Sequence, residues 1–183
     1  MPLESLHGKK IILFALCTIL LLIVLYFGIS GIPVRLSPPD FPQNISSLGK
    51  MPRSGHLTSV SGSLLPLSEL EGKVVFLSFW ATWCPPCKAE MPSIQNLYHA
   101  MKGEKDIVFL MVSDEESQTV RNFMEKNRYD FPVWLTDSSL SAHLNVEAIP
   151  TTFIIDRKGD IVFAHTGAAR WDDAVCADFL KNL

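Results

Sequence analysis

The sequence predicts an α/β fold with a central mixed sheet flanked by helices, opened by an N-terminal hairpin and preceded by one transmembrane helix. Three observations carry that expectation. Apolar, β-branched runs alternate with segments of helical spacing from about His56 to Leu183. A single uncharged block, Ile11 to Ile29, stands well before them. Between the two lies a stretch rich in Pro, Ser and Gly, where regular backbone hydrogen bonding is interrupted. At 183 residues the chain has room for one ordinary domain and an appendage. The expected organisation is a cytoplasmic N-terminus at 1–10, an anchor at 11–29, a linker at 30–55 and one domain at 56–183.

At about 1.5 Å per residue, a helix over 11–29 crosses a hydrocarbon core of about 30 Å. Lys9 and Lys10 flank its N-terminal end and the first charge after it is Arg35, so the positive-inside rule places the N-terminus in the cytoplasm. The domain then lies outside, on the extracytoplasmic side of the membrane. The apolar run exceeds the roughly 7–15 residues of a signal peptide, which favours a retained anchor. Cys17 sits in mid-block after Leu16, with apolar residues continuing beyond it, which argues against lipidation. The net charge of −3, with no basic run longer than Lys9-Lys10, argues against nucleic acid as a partner.

Within the domain, His56 to Val60 and Leu64 to Leu67 flank Ser61-Gly62-Ser63, a turn composition, so a hairpin opens the fold. Lys73 to Trp80 is a near-continuous apolar run, as expected of a central strand buried on both faces. Cys84 to about Met101 follows as a helix. Ile107 to Val112 is a second buried strand, and Val120, Phe123 and Met124 give Thr119 to Asn127 helical spacing. That crossover implies parallel strands. A short strand around Val133 to Leu135 precedes Thr151 to Ile155, which turns through Asp156 to Asp160 into Ile161 to His165, an antiparallel pair. In the last segment, Arg170 to Leu183, a helical stripe of Val175, Cys176, Phe179, Leu180 and Leu183 should cover one sheet face.

Trp83-Cys84-Pro85-Pro86-Cys87-Lys88 falls where a strand hands over to a helix. A helix N-terminus carries unpaired N–H groups and a partial positive charge, and both favour a thiolate over a thiol. Pro85 and Pro86 suit the first helical turn, where a missing N–H costs nothing and the φ angle is already helical. They also hold the two sulfurs at short range. Such a pair exchanges disulfides: Cys84, as the exposed nucleophile, attacks a partner disulfide, and Cys87 resolves the mixed disulfide one helical turn on. The pattern fixes the chemistry and leaves its direction open. A zinc site lacks a second pair of ligands, since Cys17 lies in the apolar block and Cys176 stands alone. A purely structural bridge is disfavoured because so short a loop removes little unfolded-state entropy.

Leu70 to Val75 leading into Phe79-Trp80-Ala81-Thr82-Trp83-Cys84-Pro85-Pro86-Cys87, then Glu90 and Pro92, then Ile149-Pro150-Thr151-Thr152-Phe153, resembles the thioredoxin superfamily. The similarity is greatest to the TlpA/ResA-like membrane-anchored disulfide reductases of bacteria. It implies a thioredoxin-like fold with Pro150 as a cis-proline facing the reactive pair and the backbone at Ile149 pairing with substrate. It also implies that Glu90, three residues after Cys87, handles protons at the site, while Ser78 stands where thioredoxin itself has a buried Asp. Pro92 matches a helix-kinking proline. From its place next to Cys84, Trp83 is a candidate, with Pro85 and Pro86, for the substrate-docking surface.

The activity so implied is thiol-disulfide exchange without a cofactor. Its direction is reduction of disulfides in extracytoplasmic protein substrates, fed by a membrane thiol electron donor. Apocytochrome c during cytochrome c maturation is the substrate suggested at family level. A dithiol oxidase or isomerase remains a rival, as does a copper-delivery protein that uses the Cys pair as soft ligands. Cys176 reads as a small buried hydrophobe, and His99, His143 and His165 share no ligand spacing. Asp114-Glu115-Glu116 reads as a solvated loop.

Overall fold

The computed structural model of the chain describes residues 14–23 and 35–183, which fall into two units, Met1–Arg35 and Leu36–Leu183. In the first, residues 14–23 form helix α1 with its apolar side chains exposed. No helix among the described residues is long and apolar enough to cross a membrane. The remainder of the expected anchor at 11–29, and the N-terminus at 1–10, lie outside the described residues.

The second unit is built on one eight-stranded sheet. Its strands are β1 (Gly49–Lys50), β2 (His56–Ser59), β3 (Leu64–Pro66), β4 (Val74–Phe79), β5 (Ile107–Ser113), β6 (Val133–Leu135), β7 (Thr151–Ile155) and β8 (Asp160–Thr166). The order across the sheet is β1-β8-β7-β4-β5-β6-β2-β3. The helices are α2 (Pro85–Met101), α3 (Ser117–Asn127), α4 (Ser138–His143) and α5 (Ala174–Lys181). β4 lies at the centre, parallel to β5 with Val74 opposite Ile107 and Phe79 opposite Val112. It is antiparallel to β7, with Val75 opposite Ile155 and Phe79 opposite Thr151. All six residues of β4 are buried, because both sheet faces are covered and a central strand then has no polar side.

The period-2 alternation of β4 divides the core into two. Val74, Phe76 and Trp80 pack with Met91, Ile94 and Leu97 of α2, with Leu180 of α5 and with Trp171. Val75, Leu77 and Phe79 pack on the other face with Leu57, Leu67, Leu140 and Phe153. The buried stripe of α2 runs through Cys87, Glu90, Met91, Ile94, Leu97 and Met101, the spacing of one helical face. Pro92 falls inside this helix.

Several boundaries differ from expectation for identifiable reasons. The packed unit begins at Leu36 rather than 56. Proline blocks a hydrogen-bonded ladder but not burial: Pro39 is buried, and the Phe41 ring lies 4.6 Å from Phe163 and 4.3 Å from Phe179. The Arg170 N–H donates to the Ser37 carbonyl at 2.9 Å, and β1 extends the sheet through Gly49 opposite Ile161. The segment expected as a linker is therefore a docked strap from Leu36 onward. Helix α4, which no apolar period announces, is capped by Asp137, whose carboxylate accepts from the Ser139 N–H at 3.1 Å. On α5, Cys176 and Leu180 are buried as expected, but Val175, in the first turn, is 45% exposed.

Candidate active site

β4 ends at Phe79, and the turn Trp80 to Trp83 delivers Cys84 to the N-cap of α2. The Cys84 N–H closes that turn onto the Ala81 carbonyl at 3.2 Å. Cys84 and Cys87 form a disulfide of 2.10 Å with their Cα atoms 5.3 Å apart. The Cys87 N–H donates to Cys84 Sγ at 3.2 Å, so one orphan donor of the helix terminus points at the sulfur expected to become a thiolate. Pro85 and Pro86 occupy the first two helical positions and are exposed. Cys84 itself is not exposed in this disulfide form: it is 3% accessible, against 0% for Cys87. The neighbouring Trp83, 67% exposed, presents the apolar surface beside it.

Pro150 reaches the same place from the neighbouring strand. β7 follows it directly and pairs with β4, which sets the Ile149–Pro150 loop opposite the start of α2. The Ile149–Pro150 bond is cis, and the Ile149 carbonyl oxygen lies 3.8 Å from Cys84 Sγ. The Pro150 carbonyl is already taken by the Gly167 N–H at 2.8 Å. Thr151 Oγ1 donates to the Ala148 carbonyl at 2.7 Å and fixes the loop from within. Beside Trp83 and Ile149 opens a cavity of about 210 Å³ whose wall includes Phe79, Trp80, Asp114 and Glu147.

Glu90 is 1% exposed on the buried stripe of α2, one turn beyond Cys87. Its Oε2 accepts from the Trp171 Nε1–H at 2.9 Å and from the Ala169 N–H at 3.2 Å. Its Oε1 has no partner among the described residues. Burial pushes the carboxyl up to about 7, against the two hydrogen bonds, which favour the ionised form. Ser93 ties the arrangement together: its Oγ donates to the Glu90 carbonyl at 2.7 Å and accepts from the Trp171 N–H at 3.0 Å. Ser78, on the central strand, is fully buried and accepts from Thr152 Oγ1 at 3.0 Å, so no acid stands there.

Two groups at this site escape a reading of the sequence. Trp171 is one, since nothing local marks a tryptophan before the last helix as a carboxyl partner. Glu115 is the other, and it corrects the view of Asp114 to Glu116 as a solvated loop. Its carboxylate accepts from the Thr82 N–H at 2.6 Å and from Thr82 Oγ1 at 2.7 Å. It thereby clamps the turn that precedes Cys84. The signal available was its position just after β5, at the end of the sheet where β4 also releases its chain.

The remaining candidates lie elsewhere. Burial pushes the Cys176 thiol up to about 12, which keeps it protonated and inert. His99 pairs with Asp130 at 2.7 Å on the surface. Among the described residues no group of three or more His, Cys, Asp or Glu could hold a metal ion.

Comparison with known proteins identifies the fold and the family. The crystal structure of StoA from Bacillus subtilis superposes with a TM-score of 0.58 at 26% identity, over 72% of this chain and 97% of that one. The fold is thioredoxin-like. The protein named thiol-disulfide oxidoreductase ResA of Bacillus subtilis is 39% identical over 112 residues, 61% of this chain and 63% of the relative. The protein of the same name from Halalkalibacterium halodurans is 37% identical over 113 residues, 61% of this chain and 64% of the relative. The chain thus spans just under two thirds of the length of these curated relatives. A sequence profile of the Redoxin family matches residues 43–179, most of the chain, and the chain belongs to the Redoxin family.

Proposed function

We propose that the chain is a thiol-disulfide oxidoreductase that reduces disulfides in protein substrates through Cys84 and Cys87. One observation carries this reading: the Cys84–Cys87 pair sits at the N-terminus of α2 directly against the Ile149–Pro150 loop, with Cys84 Sγ 3.8 Å from a backbone carbonyl. A bound extended segment that pairs with the backbone at Ile149 brings its own disulfide over Cys84, and Trp83, Pro85 and Pro86 form the surrounding contact surface. In the dithiol form the Cys84 thiolate attacks one substrate sulfur, and the other leaves as a thiolate that takes a proton from water. Cys87 then gives up its proton and attacks Cys84 Sγ. The Cys84–Cys87 bond forms, the bond to substrate breaks, and two electrons have passed to the substrate. Glu90, titrating near neutrality, is suited to take the Cys87 proton in that second step.

The proposed cellular setting rests on the uncharged block at 11–29 with its flanking charges and on the resemblance to bacterial membrane-anchored reductases. Residues 11–29 anchor the chain in the cell inner membrane with the domain on the periplasmic side, and a membrane thiol donor returns the Cys pair to its reduced form. Apocytochrome c before haem attachment is the first substrate to test. The names of the relatives support thiol-disulfide exchange as the chemistry, and the direction of electron flow is what the measurement below decides.

The test is equilibration of the Cys84–Cys87 couple against glutathione, with insulin disulfide reduction as the turnover assay. A midpoint near or below about −250 mV, and reduction that disappears in Cys84→Ser, is the expected result. A midpoint near about −120 mV, with faster oxidation of a dithiol peptide than reduction of its disulfide, reverses the direction and refutes the reading.

A further inference from the structure

We propose that Trp171 is a positioning residue for Glu90, holding its Oε2 so that Oε1 is the one oxygen through which the carboxyl exchanges a proton with the Cys87 thiol. The inference rests on the proton role given to Glu90 above. A carboxylate oxygen offers two lone pairs. Those of Oε2 are engaged by the Trp171 Nε1–H and the Ala169 N–H, while buried Oε1 has no partner among the described residues. A proton placed on Oε2 would displace one of the two N–H donors. A proton placed on Oε1 displaces nothing. In the ionised form the same donors face the negative charge, and in the acid form they face a carbonyl oxygen, so no hydrogen bond is remade when the proton moves.

The indole is built into the site more firmly than packing requires. Trp171 is fully buried, edge-on to Phe76 with ring centres 5.0 Å apart, and its backbone N–H is held by Ser93, which also binds the Glu90 carbonyl. A phenylalanine fills most of that volume but has no N–H. The proton balance is simple: Cys87–SH and the Glu90 carboxylate become the Cys87 thiolate and a carboxylic acid with its proton on Oε1, and the thiolate then attacks Cys84 Sγ of the mixed disulfide. The titratable and charged neighbours do not duplicate this role. Cys87 is the reacting group on α2. His165 of β8 faces Trp171 edge-on at 6.0 Å, and burial holds it below its usual range. Arg170 pairs with Asp172 and Asp173 ahead of α5, and Cys176 faces the Arg170 carbonyl.

The experiment mixes the full-length dithiol protein with an aromatic disulfide whose thiolate absorbs visible light. A first release reports attack by Cys84, and a second reports attack by Cys87. For Trp171→Phe, loss of a donor to the ionised carboxyl should move the pH midpoint of the second release up by about one unit. Below the midpoint this appears as about a tenfold slower second phase. In a Glu90→Gln background the same substitution should move nothing. Ser93→Ala, which keeps the indole but frees its backbone, should shift the midpoint in the same direction by less, and it decides the matter if Trp171→Phe does not fold. An unmoved midpoint in the folded variants, or an equal shift in the Glu90→Gln background, overturns the proposal. A Glu90→Gln profile identical to that of the unaltered protein instead overturns the proton role of Glu90 itself.

Discussion

Glu90→Gln separates two consequences of burying a carboxyl, and its effect on stability depends on pH with a definite sign. The folded carboxyl titrates near 7, against 4.5 for the free group. Below pH 4.5 the group is protonated in both states and contributes no penalty. As pH rises towards 7 the unfolded chain loses its proton while the folded chain keeps it, so stability falls. Above 7 the loss is complete. The interval from 4.5 to about 7, at about 1.4 kcal/mol per unit, amounts to about 3 kcal/mol. Glutamine cannot ionise and carries no such penalty, although an amide group in the place of Oε1 finds no better partner among the described residues than Oε1 has. The expected result is that Glu90→Gln is neutral or destabilising by about 1 kcal/mol at pH 4 and gains about 3 kcal/mol relative to the unaltered protein by pH 8.5. Guanidinium unfolding of the oxidised proteins at the two pH values measures this directly. A difference in stability that is the same at both pH values would refute the assignment of Glu90 as a buried, proton-holding acid.

Two further perturbations test parts of the structure that the sequence did not announce. Glu115→Ala removes both acceptors from Thr82 and should cost about 2 kcal/mol in denaturant, with Glu115→Gln costing less because one acceptor oxygen remains; a loss under about 0.5 kcal/mol would mean that the clamp does not hold the turn before Cys84. Phe41→Ala should destabilise the unit by about 2 kcal/mol, from lost area and from ring contacts with Phe163 and Phe179. If the strap were a free linker, truncation at Phe41 would leave the unfolding midpoint where it is.

How much of this was legible follows from where each signal resides. Strands β4 and β7 could be read directly because apolar runs such as Val74-Val75-Phe76-Leu77 have no other comfortable state than a strand covered on both faces. The reactive pair was legible for a similar reason, since Pro85 and Pro86 belong at a helix start and set Cys84 at its cap. Glu90 carried a further signal in its own helix. It interrupts the apolar stripe of Cys87, Met91 and Ile94, and a carboxylate on a buried face needs partners. What could not be read is who those partners are. Ala169 and Trp171 lie 79 and 81 positions away, and Glu115 reaches Thr82 across 33, so each contact exists only after the sheet has brought the loops to one end. The strap was hidden differently. Proline content correctly predicts the absence of a helix or long strand at 36–48 and says nothing about whether Pro39 and Phe41 are buried.

Cys84 and Cys87 have distinct roles in the proposed disulfide exchange, as attacking and resolving thiols. The most direct measurement is trapping by Cys87→Ser and, separately, by Cys84→Ser in the reduced full-length protein, mixed with a peptide disulfide and analysed by intact mass under acid quench. Cys87→Ser should accumulate one stoichiometric peptide adduct on Cys84, because the resolving thiol is gone, and Cys84→Ser should accumulate essentially none because Cys87 is fully buried. Equal adducts on both variants, or none on Cys87→Ser, would contradict the account.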